Sequence, residues 1–238
     1  MQRQGGIEAV RVDAGDVPGL LFAPDQPGPL PLVLLGHGAH LGKDVDVMQI
    51  LCRSFARAVP AAVLVIDCPG HGERRPPGLD DAGFERLVHR QMGSAASHDQ
   101  LVGDWTAAAA AARSVDARID HRTAYAGFSM GSIFGASIVH RLPFVGPVVL
   151  ALGGFVAAHR NGGVNDLIQA GLPRLGDREV LMLNMTRDES FPIADALRAF
   201  ALIPGPKRMA VYEGGHVDIP GEAIRVATEF LRRTLTVS

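Results

Sequence analysis

The chain has 238 residues, 47% of them hydrophobic and 20% charged, with a net charge of −2. That length fits one domain with a sizeable core, spanning 1–238, and the near-neutral balance excludes the basic surface of a nucleic-acid or anionic-membrane binder. One Trp and two Tyr offer little for stacking bases, and the longest apolar runs are strand-length, too short to cross a bilayer.

The N-terminal Met-Gln-Arg-Gln-Gly-Gly start has no apolar stretch behind it and so no signal-peptide pattern. Ile7 to Phe22 alternates, broken at Ala14-Gly15-Asp16, and predicts an antiparallel hairpin on a sheet edge. Pro31 to Leu35 reads as a buried strand stopping at Gly36-His37-Gly38. Val45 to Val59 reads as a helix with Val47, Ile50, Leu51, Phe55 and Ala58 at helical spacing. Ala61 to Ile66 is a second buried strand, ending at Asp67-Cys68-Pro69-Gly70-His71-Gly72. Glu73 to His98 is too long for a turn and carries Phe84, Leu87, Val88 and Met92 on one helical side; a small lid over 73–98 and a surface excursion fit it equally. Ala107 to Ala112 is strong helix material. Thr123 to Ala126 predicts a strand, Ile133 to Leu142 a helix, Val145 to Leu152 and Val180 to Met185 strands, Ile193 to Ala201 a helix, Arg208 to Tyr212 a strand, and Ile219 to Leu235 a closing helix.

Strands apolar on both faces that alternate with helices imply an α/β fold, a mostly parallel sheet covered on both sides. Right-handed crossovers put the C-terminal strand ends on one rim, where ligands bind. Cys52 and Cys68 read as reduced packing residues, consistent with a cytoplasmic protein. The pattern leaves the oligomeric state open.

The rim-bound segments carry the chemistry. Gly127-Phe128-Ser129-Met130-Gly131 follows a strand and opens a helix, a geometry that exposes a serine on a sharp turn. The pentapeptide alone is weak, with about 0.1 chance matches in a chain of this composition. A serine nucleophile needs a base, a group that orients the base, and oxyanion donors. His216, after the last strand and beside Gly214 and Gly215, is the candidate base. Asp188, at the preceding strand end, is the candidate acid; Glu189 is its neighbouring rival and is longer and looser. The Met130 amide, at a helix start, and the Ala39 amide, in the loop after the Leu35 strand, are the candidate oxyanion donors. His40 is a candidate substrate contact. Arg74 and Arg75 read as a solvated face. No Cys/His cluster has zinc spacing, and the reaction these residues suggest calls for no metal or organic cofactor.

With Leu35-Gly-His-Gly-Ala39, Asp67-Cys-Pro-Gly-His-Gly72, Gly127-Phe-Ser-Met-Gly131, Thr186-Arg-Asp188 and Gly215-His216 in this order, the chain resembles the α/β-hydrolase family from about Leu20 to Leu235. The resemblance implies roughly eight strands with Ser129, His216 and Asp188 as a triad, and casts His37 and His71 as loop braces. Compact size is similar to the dienelactone-hydrolase-like and small carboxylesterase groups; dienelactone hydrolases carry Cys where this chain has Ser129, which favours ordinary esters. The expected reaction is hydrolysis of a small-molecule carboxylic ester, with thioester, lactone, amide or C–C cleavage as alternatives. A catalytically silent small-ligand receptor is the alternative of another class.

Overall fold

Strands that are apolar at every position can be buried only between two helical layers. Leu30–Gly36 and Ala62–Ile66 are of this kind, with every residue buried. In the computed structural model, which describes residues 7–236, they belong to an eight-stranded sheet. The strands are β1 (Ala9–Ala14), β2 (Val17–Phe22), β3 (Leu30–Gly36), β4 (Ala62–Ile66), β5 (Ile119–Phe128), β6 (Val148–Ala151), β7 (Val180–Met185) and β8 (Lys207–Tyr212), in the spatial order β1-β2-β4-β3-β5-β6-β7-β8. The pairs β1·β2 and β2·β4 are antiparallel and all others parallel, so the expected edge hairpin is present and the rest of the sheet runs one way.

Strand order reverses around β3. The chain steps from β3 outward to β4, then returns to place β5 on the other side of β3. Loops leaving β3 and β5 therefore diverge, and the crevice between them is where such sheets bind ligands.

Helices α1 (Asp46–Ala58) and α7 (Gly221–Thr236) cover one face. The other is covered by α2 (Asp81–Met92), α3 (Ala95–Val115), α4 (Met130–Ile138), α5 (Val164–Gly171) and α6 (Ile193–Ala201). On the second face Trp105 of α3 meets Tyr125 of β5 edge-on at 5.9 Å. Side chains of this size contribute about 2–3 kcal/mol each by leaving water. Among the described residues no helix is long and apolar enough to cross a membrane.

Two sequence expectations need correction here, and one helix went unread. The buried side of α1 is Met48, Cys52, Phe55 and Ala56, whereas Val47, Ile50 and Ala58 face outward. The helix carries more apolar residues than its core stripe uses, so the spacing fitted two faces. Strand β5 is longer than Thr123–Ala126: Ile119 pairs with Leu30 across an irregularity in the ladder, and Gly127 and Phe128 pair with Leu150 and Ala151 of β6. The short α5 gave no pattern: Gly162 and Gly163 precede it, and its contact face includes Gly171, where a Cβ would lie 2.3 Å from Ala136 O. Both cysteines are free and buried, and burial pushes their thiols up, out of the reactive range.

Candidate active site

The serine turn is built by sterics. Between β5 and α4, Ser129 has φ 54° and ψ −114°, a strained backbone for a residue with a side chain. It persists because its neighbours hold it. Ser129 N donates to Ala151 O (2.9 Å), and Ser129 O accepts from Ser132 N (2.8 Å) and Ser132 Oγ (2.7 Å). The buried Tyr125 hydroxyl donates to Gly131 O at 2.7 Å, and burial raises its pKa well above the ordinary value, so it stays a donor. Gly131 lies against the end of β3, where a Cβ would come within 2.3 Å of Gly36 O; at Gly127 it would come within 2.2 Å of Gly131 O. Both obstacles are backbone. Gly131→Ala is expected to cost about 3 kcal/mol or more of stability, read as a lowered urea midpoint.

His216 sits in the loop between β8 and α7. Its Nε2 is 2.8 Å from Ser129 Oγ, and its Nδ1 is 2.8 Å from Asp188 Oδ2. Asp188 follows β7 and is buried; its Oδ1 accepts from Ser190 N (2.8 Å) and Phe191 N (3.0 Å), which leaves Oδ2 for the imidazole. A carboxylate only accepts, so Nδ1 carries the proton and Nε2 is left to accept from the serine hydroxyl. Phe191 stacks on the imidazole at 5.7 Å. Glu189 is exposed and plays no part in this chain of bonds.

The loop after β3 passes over the serine. A Cβ on Gly38 would lie 3.6 Å from Ser129 Cβ, and Gly38 and Ala39 line the same cavity as Ser129. Met130 opens α4, and the first amides of a helix have no partner within it. His40 lines the cavity with φ 62°, but its Nε2 turns to Glu85 Oε2 of α2 at 2.8 Å, and His89 Nε2 meets the other oxygen of Glu85 at 3.1 Å.

A cavity of about 500 Å³ opens onto Ser129. Val88 and Met92 of α2, Ile133 of α4 and Val156 form its buried apolar wall. This wall was missed in the sequence for want of a signal: its residues look like ordinary core. A larger depression of about 630 Å³ lies at the opposite sheet edge, where β6 and β7 begin, lined by Pro143, Arg178 and Arg233 and away from the serine.

Two buried histidines brace the loops. His37 Nδ1 donates to Gly38 O (2.8 Å), and its Nε2 accepts from Cys68 N (3.1 Å), tying the loop after β3 to the loop after β4. His71 Nδ1 donates to Pro69 O at 3.0 Å, while its buried Nε2 has no partner among the described residues. Burial, helped by nearby His37, pushes the His71 pKa down to about 4, and burial also lowers that of His37. The folded state thus binds fewer protons than the unfolded one. This stability is complete above pH 6.5 and falls as pH drops from 6.5 toward about 4. The expected loss from His71 is about 3 kcal/mol. Urea midpoints measured between pH 7 and 4 check it, and His71→Gln should flatten the slope.

Sequence reasoning also missed a buried ion cluster. Lys43 Nζ, fully enclosed, lies 2.5 Å from Asp44 Oδ2, 2.5 Å from Glu73 Oε1 and 3.2 Å from Asp67 Oδ2. Asp67 also accepts from Lys43 N (2.8 Å) and Glu73 N (3.0 Å). The three carboxylates are close enough together to hold a metal ion, but the ammonium takes the place such an ion would fill. Glu73, further paired with Arg11 of β1, has its pKa lowered to about 2 by Arg11 and then Lys43. Arg74, expected on a solvated face, is instead mostly enclosed against Asp104 at 2.6 Å, because its guanidinium also donates to Asp67 O.

No protein-family model matches the chain, and neither does any curated protein. Solved structures do. A cold-adapted esterase from an Arctic intertidal metagenomic library, in complex with PEG, is 25% identical, with 98% of this chain and 97% of that one covered at a TM-score of 0.77. Dienelactone hydrolase from Anabaena variabilis is 19% identical over 97% of each chain, TM-score 0.62. Acetyl xylan esterase 1 from Thermoanaerobacterium is 18% identical, covering 91% of this chain and 78% of its own, TM-score 0.61. One architecture accounts for nearly the whole chain in each comparison, and the chain has the α/β-hydrolase fold.

Proposed function

We propose that the protein is a serine hydrolase that cleaves small to medium carboxylic esters through an acyl-enzyme. One arrangement carries the proposal: the Ser129–His216–Asp188 relay, 2.8 Å at each step, opening onto an apolar cavity. A serine hydroxyl needs such a base to become a nucleophile near neutral pH.

In this reading Ser129 Oγ attacks the ester carbonyl carbon while its proton passes to His216 Nε2. Asp188 holds the imidazole and stabilises the imidazolium. The negative charge that develops on the carbonyl oxygen is met by the Met130 and Ala39 amides, each worth about 3 kcal/mol to the transition state. The α4 N-terminus adds a favourable dipole. Collapse breaks the bond to the alcohol oxygen, which takes the proton from His216. Water, deprotonated by His216, then attacks the acyl-enzyme and releases the acid and Ser129. The uncharged inner wall favours a neutral acyl chain, and the esterases among the structural neighbours support the same reaction class.

A fluorophosphonate probe tests the reading. One equivalent should attach to Ser129, located by peptide mass spectrometry, and p-nitrophenyl esters should show a burst. A folded protein that takes up no probe and hydrolyses no ester would support a ligand receptor instead. Turnover of thioesters or amides without esters would move the substrate class.

A further inference from the structure

The mouth of the cavity has two unlike sides. On the α2 side stand His40 and His89, each bonded to Glu85. On the other stand Val47 of α1 and Val217, both lining the cavity and both open to solvent, 53% and 87% exposed. Ile50, 62% exposed, lies one turn along α1 from Val47, on the same outward face. Scattered exposed apolar residues need no explanation. Here, however, Val47 and Val217 line the site itself and Ile50 extends the same face of α1, and Val47 and Ile50 are residues whose spacing marked them for the core.

The chemistry assigns this side to one half of the substrate. His216 Nε2 must hand its proton to the departing oxygen, so the leaving group lies on the His216 side of the carbonyl. Val217 is the next residue. The acyl half then falls to the enclosed wall of Val88, Met92 and Ile133.

Building on the proposed esterase activity, we infer that Val47, Ile50 and Val217 form an apolar lip that binds the alcohol half of the substrate, which makes the preferred substrates esters of extended apolar alcohols. A chain laid on a half-open lip buries about half the surface of each methylene. Each CH₂ is then worth about a twofold gain in kcat/KM, against about fourfold for full burial.

The test uses the full-length protein and acetates of methyl, butyl and hexyl alcohol. Their leaving oxygens are chemically alike, and all share one acetyl-enzyme, so differences in kcat/KM report the alcohol contact alone. The expected result is a hexyl-to-methyl ratio of about 30 in the wild type. Val47→Ser and Ile50→Ser should each cut that ratio by about threefold or more; both residues are exposed, so folding is not at stake. A flat series, or a ratio unchanged in both variants, would overturn the inference while leaving the esterase reading in place. No hydrolysis of any acetate, with no probe labelling, would remove that reading as well. If sedimentation shows a dimer that these variants dissociate while the ratio holds, the lip serves a second copy of the chain and the inference fails.

Discussion

Replacing Ser129 by alanine is expected to lower kcat for a short p-nitrophenyl ester by about 10⁵-fold with the fold unchanged. The hydroxyl is the only atom group lost, and its sole partner among the described residues is His216 Nε2. The bonds that shape the turn, from Ser129 N to Ala151 O and from Ser132 to Ser129 O, use backbone atoms of Ser129 and survive. Alanine must adopt the same strained φ, so the thermal midpoint should move by only about 2–4 °C. Residual turnover would come from water activated by His216 beside the oxyanion amides. A variant that keeps more than about a tenth of wild-type kcat in purified, correctly folded protein would rule out Ser129 as the nucleophile.

The second large effect concerns the choice of acid. Asp188→Asn is expected to lower kcat by about 10⁴-fold, whereas Glu189→Gln should stay within about twofold. The introduced carboxamide can keep the Ser190 and Phe191 amide contacts through its oxygen, and would then turn its NH₂ toward His216. The imidazole must answer with an unprotonated Nδ1, which puts the proton on Nε2, facing the serine. The nucleophile then meets a donor where it needs an acceptor. Stability should change little, because the two amide bonds remain. Steady-state kinetics beside circular dichroism decide the matter; a crippled Glu189→Gln with an active Asp188→Asn would reverse the assignment.

Much of this architecture was legible because buried parallel strands announce themselves. Val180–Met185 is the same strand in sequence and structure, and its end delivers Asp188 to the rim that also receives Ser129 and His216. The expectation that Asp188 rather than Glu189 faces His216 rested on side-chain length and distance from the strand end, and the contact of His216 is with Asp188. Other features were hidden for physical reasons. Lys43 and Asp67 look like solvated loop charges until two loops 24 residues apart close around them. The role of α2 as a cavity wall depends on which core residues border empty space, and periodicity is blind to that. Helix α1 misled because Val47 and Ile50 obey the spacing of a buried face while standing in water.

The Arg11–Glu73–Lys43–Asp67 chain has an uneven character. Its outer link, between Arg11 and Glu73, is bathed in solvent, while its inner link, between Lys43 and Asp67, is sealed off. Dissolved ions weaken the first and barely reach the second. The edge hairpin is therefore moored to the centre by a tether whose far end slackens in brine while its near end stays fast, so the loop beside Ser129 is insulated from the ionic surroundings of the protein's border.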